Sequence, residues 1–332
     1  MKAPRVVITD HQFGDISPQR AVLNAAGAEL VELQCSSAQD LIAAAEEADA
    51  MLVQFAPVTA SVIGAMRHCK VIVRYGIGVD NIDVVAARKK GIPVCNVPDY
   101  CTDEVADHTL ALALALGRQL TITDRFIREG IWNISPVNYL PAFGEMTYGV
   151  AGFGEIGRAV LRRARGFKFK CIAHDPSKSE ETFQAEGVRR VGLEELFQEA
   201  DILSLHASLD DSSLHMVNRQ RLGLMKKHAI LVNTARGKLI DTTALIEALE
   251  KGRPAYAGLD VFESEPLPEH HPLRKLPNVL MTSHIAWFSA NSTVRLQRYA
   301  AEEAVRALQD QPLLHELKAA RPVEKVLVSL WG

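Results

Sequence analysis

Tyr148-Gly-Val-Ala-Gly152-Phe-Gly154-Glu-Ile-Gly157-Arg-Ala-Val-Leu-Arg-Arg-Ala164 is the stretch that decides how this chain is read. Residues 148–151 have strand character, Gly152 to Gly157 is a GxGxxG turn, and the residues from Arg158 onward have helical spacing. Glycines at these positions let the chain reverse tightly, let the backbone approach a pyrophosphate, and let helix and strand pack closely. The phosphates then sit at the helix N-terminus, where unpaired N–H groups and the dipole favour anions. Gly152, Phe153, Gly154, Glu155, Ile156 and Gly157 are therefore a candidate dinucleotide-binding turn. Alone, such a turn is a weak signal, because any glycine-rich strand-to-helix connection can produce one. A second element supports it: Asp175 closes the apolar run that starts at Phe169, about 20 residues beyond the turn. A carboxylate there accepts hydrogen bonds from the adenine ribose hydroxyls and repels a 2′-phosphate, which selects NAD over NADP. Standing before Pro176, Asp175 also fits a plain turn start. His174 and Lys178 beside it leave NADP as the less favoured cofactor.

The turn lies almost halfway along a chain of 332 residues, so a separate unit must precede it. A hydrophobic content of 48% with 23% charged residues is that of an ordinary globular protein with room for two cores. The net charge of −3, without any run of Lys or Arg, gives no field for nucleic acid and points to a small-molecule partner. Five cysteines, Cys35, Cys69, Cys95, Cys101 and Cys171, are scattered without CxxC or zinc spacing. They read as reduced residues of a cytoplasmic protein, with Cys101 as filler rather than a reactive thiol. The N-terminal segment runs straight into an apolar strand without a signal-peptide pattern. The longest apolar stretch, Thr109 to Gly117, is too short to span a bilayer.

Short apolar runs alternate with helical stretches from the start. Arg5–Thr9, Ala50–Phe55, Val71–Arg74 and Pro93–Val97 read as strands of a parallel sheet, with helices over 39–48 and 82–90, the second closed by Gly91. From Thr102 or Asp103 an Ala- and Leu-rich helix runs to about Arg118, apolar on nearly all sides, so it must be buried, most naturally between two domains. A second series of strands follows: Tyr148–Ala151, Lys170–His174, Asp201–His206, Ile230–Asn233, Ala257–Val261 and Val279–Thr282. The expected fold is α/β, with a Rossmann-type doubly wound NAD domain over 103–290 inserted into a smaller flavodoxin-like α/β substrate domain. That smaller domain covers 1–102 and is completed by 291–332, whose helix from Asn291 to about Gln309 crosses back to it.

Ligands of such folds sit at the carboxyl ends of the strands, in a cleft between the domains. Arg236 follows Leu231-Val-Asn-Thr-Ala, Glu265 lies in Leu259-Asp-Val-Phe-Glu-Ser-Glu-Pro266, and His284 follows Val279-Leu-Met-Thr-Ser. A cation, a carboxylate and an imidazole facing a nicotinamide suffice for reversible hydride chemistry. The guanidinium fork can grip a substrate carboxylate and polarise the neighbouring carbonyl. His284 can give a proton to the carbonyl oxygen and take it back, while Glu265 would hold the imidazole's orientation and favour its protonated form. Singly, a surface Arg, a turn Glu and a satisfied strand-end His are each at least as probable. Together they are much less so.

These residues make the chain recognisable. It resembles the D-isomer-specific 2-hydroxyacid dehydrogenases from about residue 50 to 310, through Gly76-Ile-Gly-Val-Asp-Asn-Ile-Asp83, Gly91-Ile-Pro-Val-Cys-Asn-Val-Pro98, Gly149 to Gly157, Asn233-Thr-Ala-Arg-Gly237, Gly258 to Pro266 and His284. The resemblance implies that Arg236, Glu265 and His284 are the catalytic residues. Besides the glycine turn and Asp175, it implies cofactor contacts at Ile77, Thr102, Ala207, Thr234, Ala235, Asp260 and Ala286. It further implies that the amides of Ile77 and Gly78, with Gly76, receive the substrate carboxylate. Within the family, Arg74-Tyr-Gly-Ile-Gly and His284-Ile-Ala-Trp287 look most like the branch of the C-terminal-binding-protein corepressors. On that likeness Arg74 adds a second cation and Trp287 an apolar wall, which suits a 2-keto acid with a sizeable side chain. Asp107 stands where most members carry Glu, and His206 and His215 match a family segment and read as structural. The implied protein is a cytoplasmic, NAD-dependent 2-keto acid reductase without a metal. It would be dimeric through its cofactor domain, with the 132–141 loop as a candidate interface. The competing implication is an NAD-sensing scaffold that binds partner peptides, as the corepressors do; the lack of a long disordered tail or basic segment favours the enzyme.

Overall fold

The structure, a computed structural model, describes residues 3–133 and 140–317. It divides into two compact units, one of Met1–Cys101 with Phe288–Gly332 and one of Thr102–Trp287.

In the first unit the chain runs β1 (Arg5–Ile8), α1 (Ser17–Ala25), β2 (Glu29–Glu32), α2 (Ala38–Glu47), β3 (Ala50–Val53), α3 (Ala60–Ala65), β4 (Ile72–Arg74), α4 (Val84–Lys89) and β5 (Val94–Cys95). The strands form a parallel 5-stranded sheet in the order β2-β1-β3-β4-β5, the flavodoxin-like arrangement. A parallel sheet is covered on both faces, so its central strands must be apolar throughout. β3 meets that demand with Ala50, Met51, Leu52 and Val53, all fully buried. The helices start where sequence supplies caps: the side chains of Ser37 and Asp83 accept from the amides of Asp40 and Ala86. The edge at β5 is covered by an antiparallel bridge from Cys95 to Glu316 and a bond from Leu317 N to Val94 O.

The second unit continues with α5 (Thr102–Gly117), α6 (Leu120–Arg128), β6 (Thr147–Ala151), α7 (Glu155–Gly166), β7 (Lys170–His174), α8 (Glu180–Ala185), β8 (Arg189–Arg190), α9 (Leu193–Glu199), β9 (Ile202–Leu205), α10 (Arg219–Leu224), β10 (Ile230–Asn233), α11 (Thr242–Glu250), β11 (Tyr256–Leu259) and β12 (Val279–Met281). Its parallel 7-stranded sheet has the order β12-β11-β10-β9-β6-β7-β8. Counted from β6, that is the doubly wound Rossmann order with one further strand, and the order reverses between β6 and β9. α5 buries one broad face, with Val105, Ala106, Thr109, Leu112, Ala113 and Leu116, and packs on α7, β10 and β11; Asp103, Asp107 and Ala111 are exposed, so it is not buried on nearly all sides as its composition suggests. Gly258 makes the close approach to β11 possible, since a Cβ there would meet Leu112 Cβ at 3.1 Å and Leu116 Cδ1 at 3.3 Å. The last helix, α12 (Ala290–Leu308), packs on α1, β3 and β4 of the first unit.

Two strands have no counterpart in the sequence reading, β2 and β8. Both are sheet edges, and neither presents the continuous buried apolar run that reveals a central strand: β2 is Glu-Leu-Val-Glu and β8 is two exposed arginines. Among the described residues, no helix is long and apolar enough to cross a membrane and no cluster of His, Cys, Asp and Glu could hold a metal ion.

Candidate active site

The second unit brings Arg236, Glu265 and His284 to the carboxyl ends of neighbouring strands β10, β11 and β12. His284 Nδ1 lies 2.6 Å from Glu265 Oε2, and Glu265 Oε1 accepts from the amide of Phe262 at 2.9 Å. Burial pushes the Glu265 carboxyl up. The hydrogen bond and charge of His284, the Phe262 amide and the charge of Arg236 outweigh it and hold the carboxyl below its usual value. An ionised carboxylate only accepts, so the shared proton sits on His284 Nδ1 and leaves Nε2 as the nitrogen that can exchange one.

The backbone of His284 is held in the left-handed region, with φ 57. A non-glycine residue persists there only when its surroundings fix it, and here Asp260 does so. This fully buried carboxylate accepts from the amides of Ile285 at 3.0 Å and Ala286 at 2.9 Å and from the Thr282 hydroxyl at 2.5 Å, while its carbonyl accepts from His284 N at 2.7 Å. With its own proton given to Asp260, Thr282 accepts from His108 Nε2 at 3.0 Å. Trp287 closes the turn, its indole N–H donating to His284 O at 2.9 Å.

Half-buried Arg236 enters from the loop after β10. Its carbonyl accepts from Asn233 Nδ2 at 2.8 Å and its Nη1 donates to Ala235 O at 2.7 Å. Gly237 lets this loop lie directly on the one that carries Glu265, because a Cβ there would come within 1.9 Å of Phe262 C. Thr234 is buried and shares a hydroxyl–hydroxyl bond of 2.7 Å with Thr109 of α5.

The glycine turn sits between β6 and α7 at the point where the strand order reverses. Its three glycines do different work. Gly152 has φ 98, and a Cβ there would meet Ala207 N at 2.5 Å; a Cβ on Gly157 would meet Gly152 O at 2.2 Å. Gly154, the residue that precedes α7, would meet nothing within 4 Å. Asp175 ties the turn to the end of β7, accepting from Phe153 N at 2.8 Å and from the amide and hydroxyl of Ser177 at 2.8 and 2.7 Å. Burial raises the Asp175 carboxyl, but those bonds and the charge of Lys178 outweigh it, so it stays ionised. His206, at the end of β9, bonds Ser204 Oγ at 2.8 Å and is pushed down to about 3 by desolvation, which fits a neutral structural ring.

In the first unit, Arg74 ends β4, and Gly76, Ile77 and Gly78 follow it. Gly76 has φ 133, and the Arg74 guanidinium occupies the space where a Cβ on Gly76 would stand. Thr102 is the first residue of α5 in the second unit. All five cysteines are free, and burial raises the Cys35 and Cys69 thiols to about 11 and 12.

The sequence profile of the NAD-binding domain of D-isomer-specific 2-hydroxyacid dehydrogenases matches residues 110–286. This chain belongs to that family. A glyoxylate reductase of Korarchaeum cryptofilum is 41% identical over 253 residues, covering 75% of this chain and 76% of its own. A hydroxypyruvate reductase of Thermotoga maritima is 40% identical over 265 residues, covering 79% of this chain and 84% of its own. Among solved structures, a D-lactate dehydrogenase from Aquifex aeolicus, complexed with NAD and lactic acid, matches with TM-score 0.84 at 27% identity, covering 92% of this chain and 96% of that one. The chain is an NAD-dependent D-2-hydroxyacid dehydrogenase.

For this dehydrogenase the glycine turn fits a dinucleotide by its own geometry. Gly152 and Gly157 are taken up by packing, while Gly154 faces open space before a helix whose first turn has no side-chain cap. A pyrophosphate would fill that space and take the amides. His108 and Thr282 in this unit, and Asn96 in the first, carry no role in the sequence reading. Thr282 stands two positions before His284, a spacing that could have marked it. The others act across long sequence separations and leave no local pattern.

Proposed function

We propose that this dehydrogenase interconverts small 2-keto acids and D-2-hydroxy acids, with His284 exchanging the proton, Glu265 orienting it, and Arg236 gripping the substrate carboxylate and polarising the carbonyl. One observation carries the reading: the 2.6 Å bond between His284 Nδ1 and ionised Glu265, in a turn pinned by buried Asp260. The bound cofactor supplies the hydride in reduction and accepts it in oxidation. In reduction the carbonyl oxygen takes the proton from His284 Nε2 while the carbonyl carbon gains the hydride, so C=O becomes CH–OH. In oxidation His284 takes the proton back, and Glu265 stabilises the imidazolium in either direction. Arg236 offers a planar pair of donors, which a carboxylate and adjacent carbonyl can accept together.

Glyoxylate and hydroxypyruvate, the compounds in the relatives' names, are the first substrates to try. Trp287 extends the range to larger 2-keto acids by offering an apolar wall, and Arg74 with the Ile77 and Gly78 amides receives the carboxylate from the first unit. Ionised Asp175 favours NAD over NADP. Cofactor contacts at Thr102, Ala207, Thr234, Ala235, Asp260 and Ala286 belong to the same reading.

We infer a homodimer as well, supported by Leu120, Ile127 and Trp132, which are 56%, 53% and 90% exposed on and after α6. Most of the 132–141 loop expected at that interface lies outside the described residues. The test of the function is NADH oxidation with glyoxylate, hydroxypyruvate, pyruvate, phenylpyruvate and 2-ketoisocaproate. We expect turnover on at least one, lost in Arg236→Ala. Tight NADH binding without turnover on any of them would instead indicate an NAD sensor.

A further inference from the structure

Behind the Gly76–Gly78 backbone, the first unit contains a device that the proposed chemistry leaves unused. The carbonyl of Gly76 accepts from Val97 N at 2.9 Å, and the carbonyl of Ile77 accepts from the Asn96 side-chain amide, Nδ2, at 2.7 Å. Both peptides are trans, and in a planar trans peptide the C=O and N–H point in opposite directions. Fixing these two carbonyls toward residues 96 and 97 therefore turns the N–H groups of Ile77 and Gly78 the other way, side by side. Consecutive amides aimed to one side form a concavity that binds an anion. One carbonyl is held by backbone and would be held for any residue at 97 with an N–H. The other depends on a side chain, and that side chain must donate.

We propose that Asn96 is a positioning residue for substrate binding: its amide fixes the peptide between Ile77 and Gly78 so that both N–H groups receive the carboxylate of the 2-keto acid. Several features of the first unit converge on this turn. Gly76, with φ 133, adopts a conformation closed to other side chains. The Arg74 guanidinium lies over it and adds positive charge to the same turn. Asn96 is itself held firmly, because it leads out of β5, where its amide N bonds His315 O at 3.4 Å and the neighbouring Val97 is 1% exposed. Aspartate at 96 could not substitute, since a carboxylate facing a carbonyl has no proton to give. Without the Nδ2 donor the 77–78 peptide is free to rotate, and one of the two amides is lost to the substrate.

The inference rests on the reading of the chain as a 2-keto acid reductase, and the experiment separates the two. Wild type, Asn96→Ala and Val94→Ala are compared in steady-state reduction of the best keto acid, in NADH affinity by fluorescence, and in Tm. Val94 is 3% exposed in β5, the strand that leads into Asn96, and is part of the first unit's core, so it controls for stability. In Asn96→Ala the KM for the keto acid should rise about 10- to 100-fold, the range expected when a charged group loses one hydrogen-bond donor. Its kcat should stay within about threefold and its NADH affinity should not change. Val94→Ala should lower Tm at least as much and leave KM alone. A KM within twofold of wild type in Asn96→Ala, or a rise in KM matched by Val94→Ala, overturns the role of Asn96 while leaving the reductase intact. A wild type that turns over no keto acid overturns the reductase reading, and this inference with it.

Discussion

The two ends of the 7-stranded sheet each hold a buried aspartate, and the two differ in which partners lie closest. At the amino end Asp201, just before β9, accepts from Thr147 N at 2.7 Å, Lys226 Nζ at 2.8 Å and His228 Nε2 at 2.6 Å. At the carboxyl end Asp260, just after β11, accepts from backbone amides and a hydroxyl. Asp201 sets its charge against other charges and thereby joins strand starts. Asp260 takes its short bonds from two amides and a hydroxyl, with His108 Nε2 3.7 Å away, and thereby fixes the shape of the turn that carries His284. Nearby, His215 and Glu263 make a 2.6 Å pair as short as that of His284 and Glu265. The His215 side chain is 45% exposed, and no buried carboxylate is seen to pin its turn among the described residues. A short His–carboxylate contact is thus not a site by itself. Both histidines have a left-handed backbone, φ 49 at His215 and φ 57 at His284, so what distinguishes the His284 pair is the buried Asp260 beneath its turn and the charge of Arg236 beside its partner.

The sharpest break between the two histidine–glutamate pairs should appear on replacing the histidines. His284→Gln is expected to lower kcat by about 10²- to 10⁴-fold, the usual worth of a general acid, with little change in Tm. His215→Gln should leave kcat within about threefold. Equal losses in stopped-flow NADH oxidation would erase the distinction between the two pairs. Asp201→Ala should do the reverse of His284→Gln, costing about 2–3 kcal/mol of stability through the hydrogen bonds its partners lose while the folded fraction keeps its kcat.

The glycine turn permits a finer comparison. Gly152→Ala should destabilise by about 2 kcal/mol or more, because its φ and its neighbours both exclude a Cβ. Gly154→Ala should fold normally and lose about tenfold or more in NADH affinity, since its methyl would enter only the space for the pyrophosphate. Calorimetry and NADH fluorescence titration read the two effects separately, and the same pattern of loss in both variants would contradict the division of labour.

A further effect concerns pH. His206 is pushed from 6.5 to about 3 by burial, so the unfolded chain binds the extra proton, and stability is full above about pH 6.5 and declines from there toward 3. For Asp201, burial raises the carboxyl, but Lys226, the Thr147 amide and His228 lower it further, below 3.8. Its stabilisation is present above that value and is lost only as pH falls through the lower folded one. Tm should therefore slope between about pH 6.5 and 4.5 in the wild type and flatten in His206→Gln. A slope that persists in the variant would assign the effect to another group.

Much of this is legible in the sequence, for reasons that also explain the omissions. β6, β9, β10 and β11 are buried on both faces and read as unbroken apolar runs, so the positions that follow them mark out Arg236 and Glu265 from the residue order alone. β2 and β8, at the edges, carry Glu and Arg where burial demands nothing. The roles of Asn96, His108 and Thr282 depend on contacts made across folded loops: Asn96 reaches Ile77 across 19 residues and His108 reaches Thr282 across 174. The left-handed backbone of His284 is likewise imposed by Asp260, which no local propensity announces.

The central claim is reduction of a 2-keto acid to a D-2-hydroxy acid by this carboxyl-end machinery. The most direct measurement is the configuration and yield of the product from hydroxypyruvate and NADH, resolved by chiral chromatography. The account predicts D-glycerate, formed mole for mole with NADH consumed. L-glycerate would contradict it, as would bound NADH left unoxidised by hydroxypyruvate and by every other keto acid of the panel.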